Sequence, residues 1–355
     1  MEEDIEAIFL DTNVFENAKF TYKNNNFMKL IELCKEHDIP IYIDYIVEQE
    51  VLHRISENIQ KTIDGLKKDK LYYLSQIYTI HDNTKEIQKT LSDKLIKDFQ
   101  ELKDEHILIL DNDVLAIEVA KMYFNNEAPF EKGRKKYEFP DAIIGLNIKN
   151  YIEEEFLNIL TITNDNGLIS FFENSKLPVV NMLSRAVNII NKQFQTDTYF
   201  SEIKDNIKSD IISYIKEGNI ELNIYAYDYQ DTVYVNEYDI TEVILQELLL
   251  INRDNSYGVL TVSCPCNIII ECTTDYYPDY ENGIFDKEDH NWCFFNSKRT
   301  THRIEEEIEV TFELSEIPDN GKELFIDYSD RDIDIEFDLY NDWNLIKEEY
   351  IESSE

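Results

Sequence analysis

Phe9-Leu10-Asp11-Thr12-Asn13-Val14-Phe15 decides how the chain is read, because an apolar run, Ile5 to Leu10, stops at a carboxylate followed by two small polar residues. A buried strand that ends this way delivers its acid to the carboxyl edge of a sheet, where open parallel α/β sheets gather ligands and chemistry. Alone, the pattern leaves two readings of Asp11 open: a functional carboxylate, or a side-chain cap for the following turn. Acids farther along the chain bear on the choice.

Downstream, Phe27 to His37 carries apolar residues at helical spacing, and Ile39-Pro40-Ile41-Tyr42-Ile43 reads as a second strand ending at Asp44, a good N-cap. The helix from Asp44 to Leu66 keeps Val47, Val51, Ile55, Ile59 and Ile63 on one stripe. This β-α-β-α passage predicts a parallel sheet with crossover helices. Residues 70–105 stay helical and polar, which suggests a helical hairpin inserted on the sheet, and His106 to Leu110 is extended. Asp111 or Asp113 is expected to cap a helix from Val114 to Phe124. Pro140 suits a helix start and places Asp141 in the first turn, where a carboxylate is favoured by the helix dipole. Phe156 to Thr163 is another buried strand, and it too ends in small polar residues and an acid, Thr163-Asn164-Asp165.

Near Phe194 the texture changes. Tyr199 to Lys216 reads as an amphipathic helix, and short alternating runs follow: Leu222 to Tyr227, Val259 to Ser263, Ile268 to Cys272, Ile308 to Leu314, Leu324 to Tyr328 and Ile333 to Leu339. Ile240 to Ile251 is too densely apolar to show a period and is read as strand. Cys264-Pro265-Cys266 is expected to bracket a hairpin turn, and the acidic tail from Lys347 to Glu355 to fray. The domains are therefore 1–194, α/β, and 195–355, a helix plus a mainly antiparallel, sandwich-like β domain.

The 355 residues carry 34 basic and 73 acidic side chains, a net charge of −39, which excludes broad electrostatic wrapping of nucleic acid. Residues 196–355 hold 11 basic and 39 acidic residues, net −28, against 23 and 34, net −11, before them. In so acidic a chain the run Lys132, Arg134, Lys135 and Lys136, just ahead of Asp141, stands out as a phosphate-binding candidate. The five cysteines fit a reducing compartment, and an acidic N-terminus without a long apolar run fits a cytoplasmic protein with no membrane segment. Cys264, Cys266, Cys272 and Cys293 lack zinc-site spacing and read as packing residues.

Asp11, Asp141 and Asp165, with an acid on the Asp44 to Leu66 helix, make four carboxylates at strand ends or helix starts. An oxygen-only set suits Mg²⁺ or Mn²⁺ and phosphodiester hydrolysis, and it exceeds the pair a glycosidase needs. No Walker loop or dinucleotide glycine pattern follows a strand, and Asn13 stands where an Asp-based phosphatase would carry a second Asp.

Asp11-Thr12-Asn13, Val47 to Glu50, Phe139-Pro140-Asp141-Ala142-Ile143-Ile144 and Thr163-Asn164-Asp165 together resemble the acidic motifs of PIN domains. The Ala128-Pro129-Phe130 element with the basic run resembles a bacterial PIN-like subfamily carrying a helical insertion. The resemblance covers about residues 4–190, the size of one domain. It implies a metal-dependent nuclease, mostly acting on RNA, of a kind used as toxins, processing enzymes or in defence. Asp11, Glu50, Asp141 and Asp165 are then catalytic metal ligands for Mg²⁺ or Mn²⁺, and Asn13 and Thr163 support them by hydrogen bonds. Helical periodicity favours Glu48 as the inward acid, whereas the family spacing favours Glu50, which is preferred here. DNA as substrate, self-association, and an inactive scaffold whose acidic β domain binds a basic protein stay open as alternatives.

Overall fold

The structure, a computed structural model, describes residues 4–352 apart from 23–24, 69–83, 112–113, 131–137, 156, 195–197, 228–231, 255–258, 277–283, 287–290, 294–295, 317–323, 329–332 and 340–343. The chain forms two compact units, Met1–Thr196 and Asp197–Glu355.

In the first unit the opening apolar run becomes β1 (Ala7–Leu10), buried at every residue. It is followed by α1 (Thr12–Asn17), α2 (Asn25–Glu36), β2 (Ile41–Asp44), α3 (Tyr45–Lys68), α4 (Thr84–His106) and β3 (Ile107–Leu110). Then come α5 (Ala116–Asn125), α6 (Phe139–Glu155), β4 (Ile159–Ile162), α7 (Asn166–Ser175), β5 (Val179–Val180) and α8 (Leu183–Phe194). All five strands are parallel, in the order β3-β2-β1-β4-β5. The stripe on α3 does what its spacing predicts, with Val47, Val51 and Ile55 fully buried. Of the helical hairpin expected over 70–105 the described part is the single helix α4, which runs antiparallel to α3, since Lys103 meets Glu48 near one end and Gln88 meets Gln60 farther along; residues 69–83 lie outside the described part. Phe99 fastens α4 to the core, edge-on to Phe15 at 5.5 Å between ring centroids.

The expected cap of the next helix is not found. Its N-cap position is Leu115, with no side-chain hydrogen bond, while Asp111 is exposed four residues earlier and Asp113 lies outside the described residues. The helix starts later than the first acids after β3, so Asp111 is out of reach of its free N–H groups.

The second unit begins with α9 (Thr198–Lys216), then β6 (Leu222–Tyr227), β7 (Thr232–Leu245), β8 (Leu249–Asp254), β9 (Val259–Tyr276), β10 (Ile284–Asp286) and β11 (Asn291–Cys293). It ends with β12 (Asn296–Glu316), β13 (Leu324–Tyr328), β14 (Ile333–Asp338) and β15 (Leu345–Glu352). Its strands are antiparallel except for the β6–β14 pair, and β10 and β11 form a separate ribbon. The other eight strands join one connected sheet built on the long β9–β12 pair. Even-numbered residues of both strands, Leu260 to Cys272 of β9 and Ile304 with Ile308 to Leu314 of β12, enter one core with Ile207, Ile211 and Ile215 of α9.

Two sequence expectations are corrected here. Cys264-Pro265-Cys266 is not a turn: β9 runs straight through it, with Pro265 opposite Glu309 and both cysteines buried. Pro265 falls where the other edge of β9 changes partner, from β8 ending at Ser263 to β7 starting at Cys266, a place that tolerates a missing N–H. The tail does not fray from Lys347; it forms β15 against β12, and Lys298 pairs with Glu348. Covering an otherwise open edge of β12 outweighs the repulsion of its acids.

Candidate metal centre

From β1 the chain builds outward to β2 and β3, then returns to add β4 and β5 on the other side, so the topological switch lies between β1 and β4. Asp11 leaves β1 on one side of that crevice, and Thr163, Asn164 and Asp165 leave β4 on the other.

Asp11 is only 4% exposed. Its Oδ1 accepts the Thr12 N–H at 2.7 Å, while Oδ2 accepts from Asn13 Nδ2 at 2.6 Å and from the Thr163 hydroxyl at 2.6 Å. Three of about four acceptor positions on the carboxylate are thereby used, and the remainder is free for a cation. Burial pushes its pKa up to about 6; Thr163 and the Thr12 N–H oppose the shift, and Glu50 and Asp165 add to it. Asp11 also occupies the N-cap position of α1, which meets the capping reading the sequence left open.

Thr163 also accepts from the Asp165 N–H at 3.0 Å and from Asn13 Nδ2 at 3.0 Å, so one hydroxyl joins the ends of β1 and β4. Asp165 caps α7 by accepting the Leu168 N–H at 2.9 Å. Ligand oxygens of Asp165, Asp141 and Glu138 lie within 4.8 Å of one another, a group of carboxylates alone. The Asp141 carboxyl is held well above the usual range by burial first, then by Asp165, Asp11, Glu138 and Glu50. All four sequence-selected acids therefore act on one another, although Asp11 and Glu50 stand outside the tightest group.

Two glycines let these segments approach. A Cβ at Gly145 of α6 would sit 2.8 Å from the Phe171 ring of α7, so only glycine brings the helices behind Asp141 and Asp165 so close. A Cβ at Gly167 would lie 3.0 Å from Asp165 Oδ1 and 3.3 Å from Glu138 Oε2, crowding the carboxylates themselves.

Glu50 accepts a hydrogen bond from the Thr12 hydroxyl at 2.7 Å. Glu48 instead pairs with Lys103 of α4 at 2.6 Å. The α3 stripe does face inward at Glu48, as periodicity predicts, but what it meets there is the insertion helix. Lys132, Arg134, Lys135 and Lys136 lie outside the described residues. Sequence reasoning missed Glu138 and the role of Thr12. Glu138 carried a usable signal, since it precedes Asp141 by three residues at a helix start and so shares its face.

A half-buried set of carboxylate oxygens without Cys or His, left uncrowded by Gly167, fits a hard divalent cation. Residues 8–168 match the family model of the PIN domain. A search of curated proteins finds no match to the chain. The first unit is a PIN-like domain, a nuclease-type fold whose members are generally nucleases that use divalent metal ions. Among the described residues no helix is long and apolar enough to cross a membrane.

Proposed function

We propose that the first unit is a Mg²⁺- or Mn²⁺-dependent endoribonuclease in which Asp11, Glu50, Asp141 and Asp165 hold the cation, with Glu138 beside them. The observation that carries this reading is the gathering of acids from four separate segments at the switch point of the sheet, where each raises the pKa of Asp141. Such a group repels itself unless a cation or protons neutralise it. When bound, the ion supplies activation of water and stabilisation of the leaving oxygen.

The chain's own residues set the geometry beforehand. Thr163 and Asn13 orient Asp11, and Thr12 orients Glu50, so these carboxylates need not reorganise when substrate arrives. Lys132, Arg134, Lys135 and Lys136, next in sequence to Glu138, are assigned to substrate phosphates. RNA as substrate, and a role as a toxin or in defence, rest on likeness to other PIN domains.

The test is the full chain incubated with labelled RNA and DNA pools, in Mn²⁺ or EDTA, beside Asp11→Asn. RNA cleavage that requires Mn²⁺ and is lost in the variant is the expected result. Cleavage of DNA alone would reassign the substrate. No metal-dependent cleavage of either polymer would overturn the proposal in favour of an inactive scaffold.

A further inference from the structure

A sixth carboxylate lies at the same level of the sheet and has no part in the account so far. Phe9 and Tyr42 are paired in register, so Asp11 and Asp44, each two residues on, leave neighbouring strands side by side. Asp44 is fully buried, at 0% exposure. Its Oδ1 caps α3 by accepting the Val47 N–H at 2.9 Å. The amide of Asn147, on α6 and 3% exposed, acts on the same carboxyl as a hydrogen-bonding group. Yet among the described residues Asp44 Oδ2 and Asn147 Nδ2 each lack a partner at hydrogen-bond distance. A buried acceptor and a buried donor thus stand close and unjoined, which is costly to leave so.

We infer that Asp44 and Asn147 form a buried clamp between α3 and α6 that positions Glu50 and Asp141, and that it closes when the cation site fills. Asp44, at the end of β2, precedes Glu50 of α3 by six residues, and Asn147 follows Asp141 by six on α6. The clamp therefore ties together the two helices that bring these acids to the site, without touching the reacting atoms itself. Drawing Glu50 and Asp141 toward a shared ion brings the helices together and lets Asn147 Nδ2 donate to Asp44 Oδ2. Without the clamp, both helices keep their folds but hold their acids less well placed. The inference rests on the cation reading above.

Isothermal titration of the full chain with Mn²⁺ tests it, using Asn147→Asp, Asn147→Ala, the exchanged pair Asp44→Asn with Asn147→Asp, and Ile190→Ala. Ile190, fully buried on α8, serves as a destabilised control away from the clamp. Asn147→Asp sets two carboxyls face to face and should weaken Mn²⁺ binding by about tenfold to a hundredfold, the cost usual for groups supporting metal ligands. Asn147→Ala should weaken it in the same direction, and keeps the test valid should Asn147→Asp fail to fold. The exchanged pair should restore wild-type affinity, and Ile190→Ala should leave it unchanged. Wild-type affinity in both Asn147 variants, or an equal loss in Ile190→Ala, overturns the clamp while leaving the cation reading intact. A wild type that takes up no Mn²⁺ overturns the cation reading, and the clamp with it.

Discussion

The first unit gathers a few acids into one crevice, whereas the second carries many without bringing three together among the described residues. Residues 196–355 hold 39 of the 73 acidic side chains, yet among the described residues the carboxylates that converge within 4.8 Å are Glu138, Asp141 and Asp165 of the first unit. In β12 the run Glu305, Glu306 and Glu307 is exposed between buried Ile304 and Ile308, although partial burial and Glu307 still raise the Glu306 pKa. Around Asp11 and Asp141 burial itself raises the pKa of the acids. Acidity of composition therefore says little about a site; what matters is whether the topology brings strand ends and helix starts to one crevice.

The largest effect expected from this contrast is on activity. Asp11→Asn, Asp141→Asn and Asp165→Asn should each lower RNA cleavage by on the order of a hundredfold to a thousandfold, as loss of a charge-stabilising group does. Glu305→Gln with Glu307→Gln, which neutralises two charges in the second unit against one in each of these variants, should leave turnover unchanged. Single-turnover assays on the purified variants decide it, and a comparable loss in the double glutamine variant would erase the distinction between the units.

One group in each unit should also answer pH with opposite signs. The Asp11 pKa in the folded state, about 6, exceeds its ordinary 3.8, so the folded protein binds the extra proton. Its stabilising contribution is complete below 3.8 and is lost as pH rises through 6, by about 3 kcal/mol for a shift of this size. In the second unit one buried titratable group is His302, whose Nε2 lies 2.9 Å from the Thr300 hydroxyl and whose Nδ1 has no partner among the described residues. Burial lowers its pKa below the ordinary 6.5, so its contribution is complete above 6.5 and is lost as pH falls through the folded value. Chemical denaturation from acid to neutral pH should show Asp11→Asn flattening the alkaline loss of the first unit, and His302→Asn flattening the acid loss of the second. A wild-type pH profile retained in either variant would remove that group from the explanation.

A smaller effect separates the two glutamates of α3. Glu48→Gln removes the partner of Lys103 in a half-buried pair and should cost about 1 kcal/mol of stability with cleavage intact. Glu50→Gln should impair cleavage and cost little stability. Denaturant midpoints measured alongside activity give the answer, and the reverse pattern would make Glu48 the functional acid.

The first unit was the more legible in sequence because its strands are short, apolar and terminated by acids, so β1 with Asp11 and β4 with Thr163 and Asp165 announce both the sheet and its carboxyl edge. Glu138 was hidden by the Phe139-Pro140 pair beside it, which draws attention to a helix start rather than to the acid before it. In the second unit Pro265 read as a turn and the acids of β15 as a frayed end, since both rules are local. The structure overrides them through the long β9–β12 pair, whose partners are remote in sequence and place Pro265 and β15 at particular edges. Likewise, the partner of Glu48 lies 55 residues away, beyond any helical period.

The central claim, that the converging acids of the first unit form a cation site, can be read with a control inside the same molecule. Both tryptophans, Trp292 and Trp343, belong to the second unit, so their fluorescence follows its melting, while far-ultraviolet circular dichroism follows the helix-rich first unit. At a hundredfold excess over Kd, Mn²⁺ should stabilise the first unit by about 2.7 kcal/mol and raise the helical transition relative to EDTA. The tryptophan transition should stay where it is. In Asp141→Asn the helical transition should rise in EDTA, because a repelled carboxylate is gone, and should no longer respond to Mn²⁺. A wild type indifferent to Mn²⁺, together with an Asp141→Asn protein that melts lower in EDTA, would contradict the account.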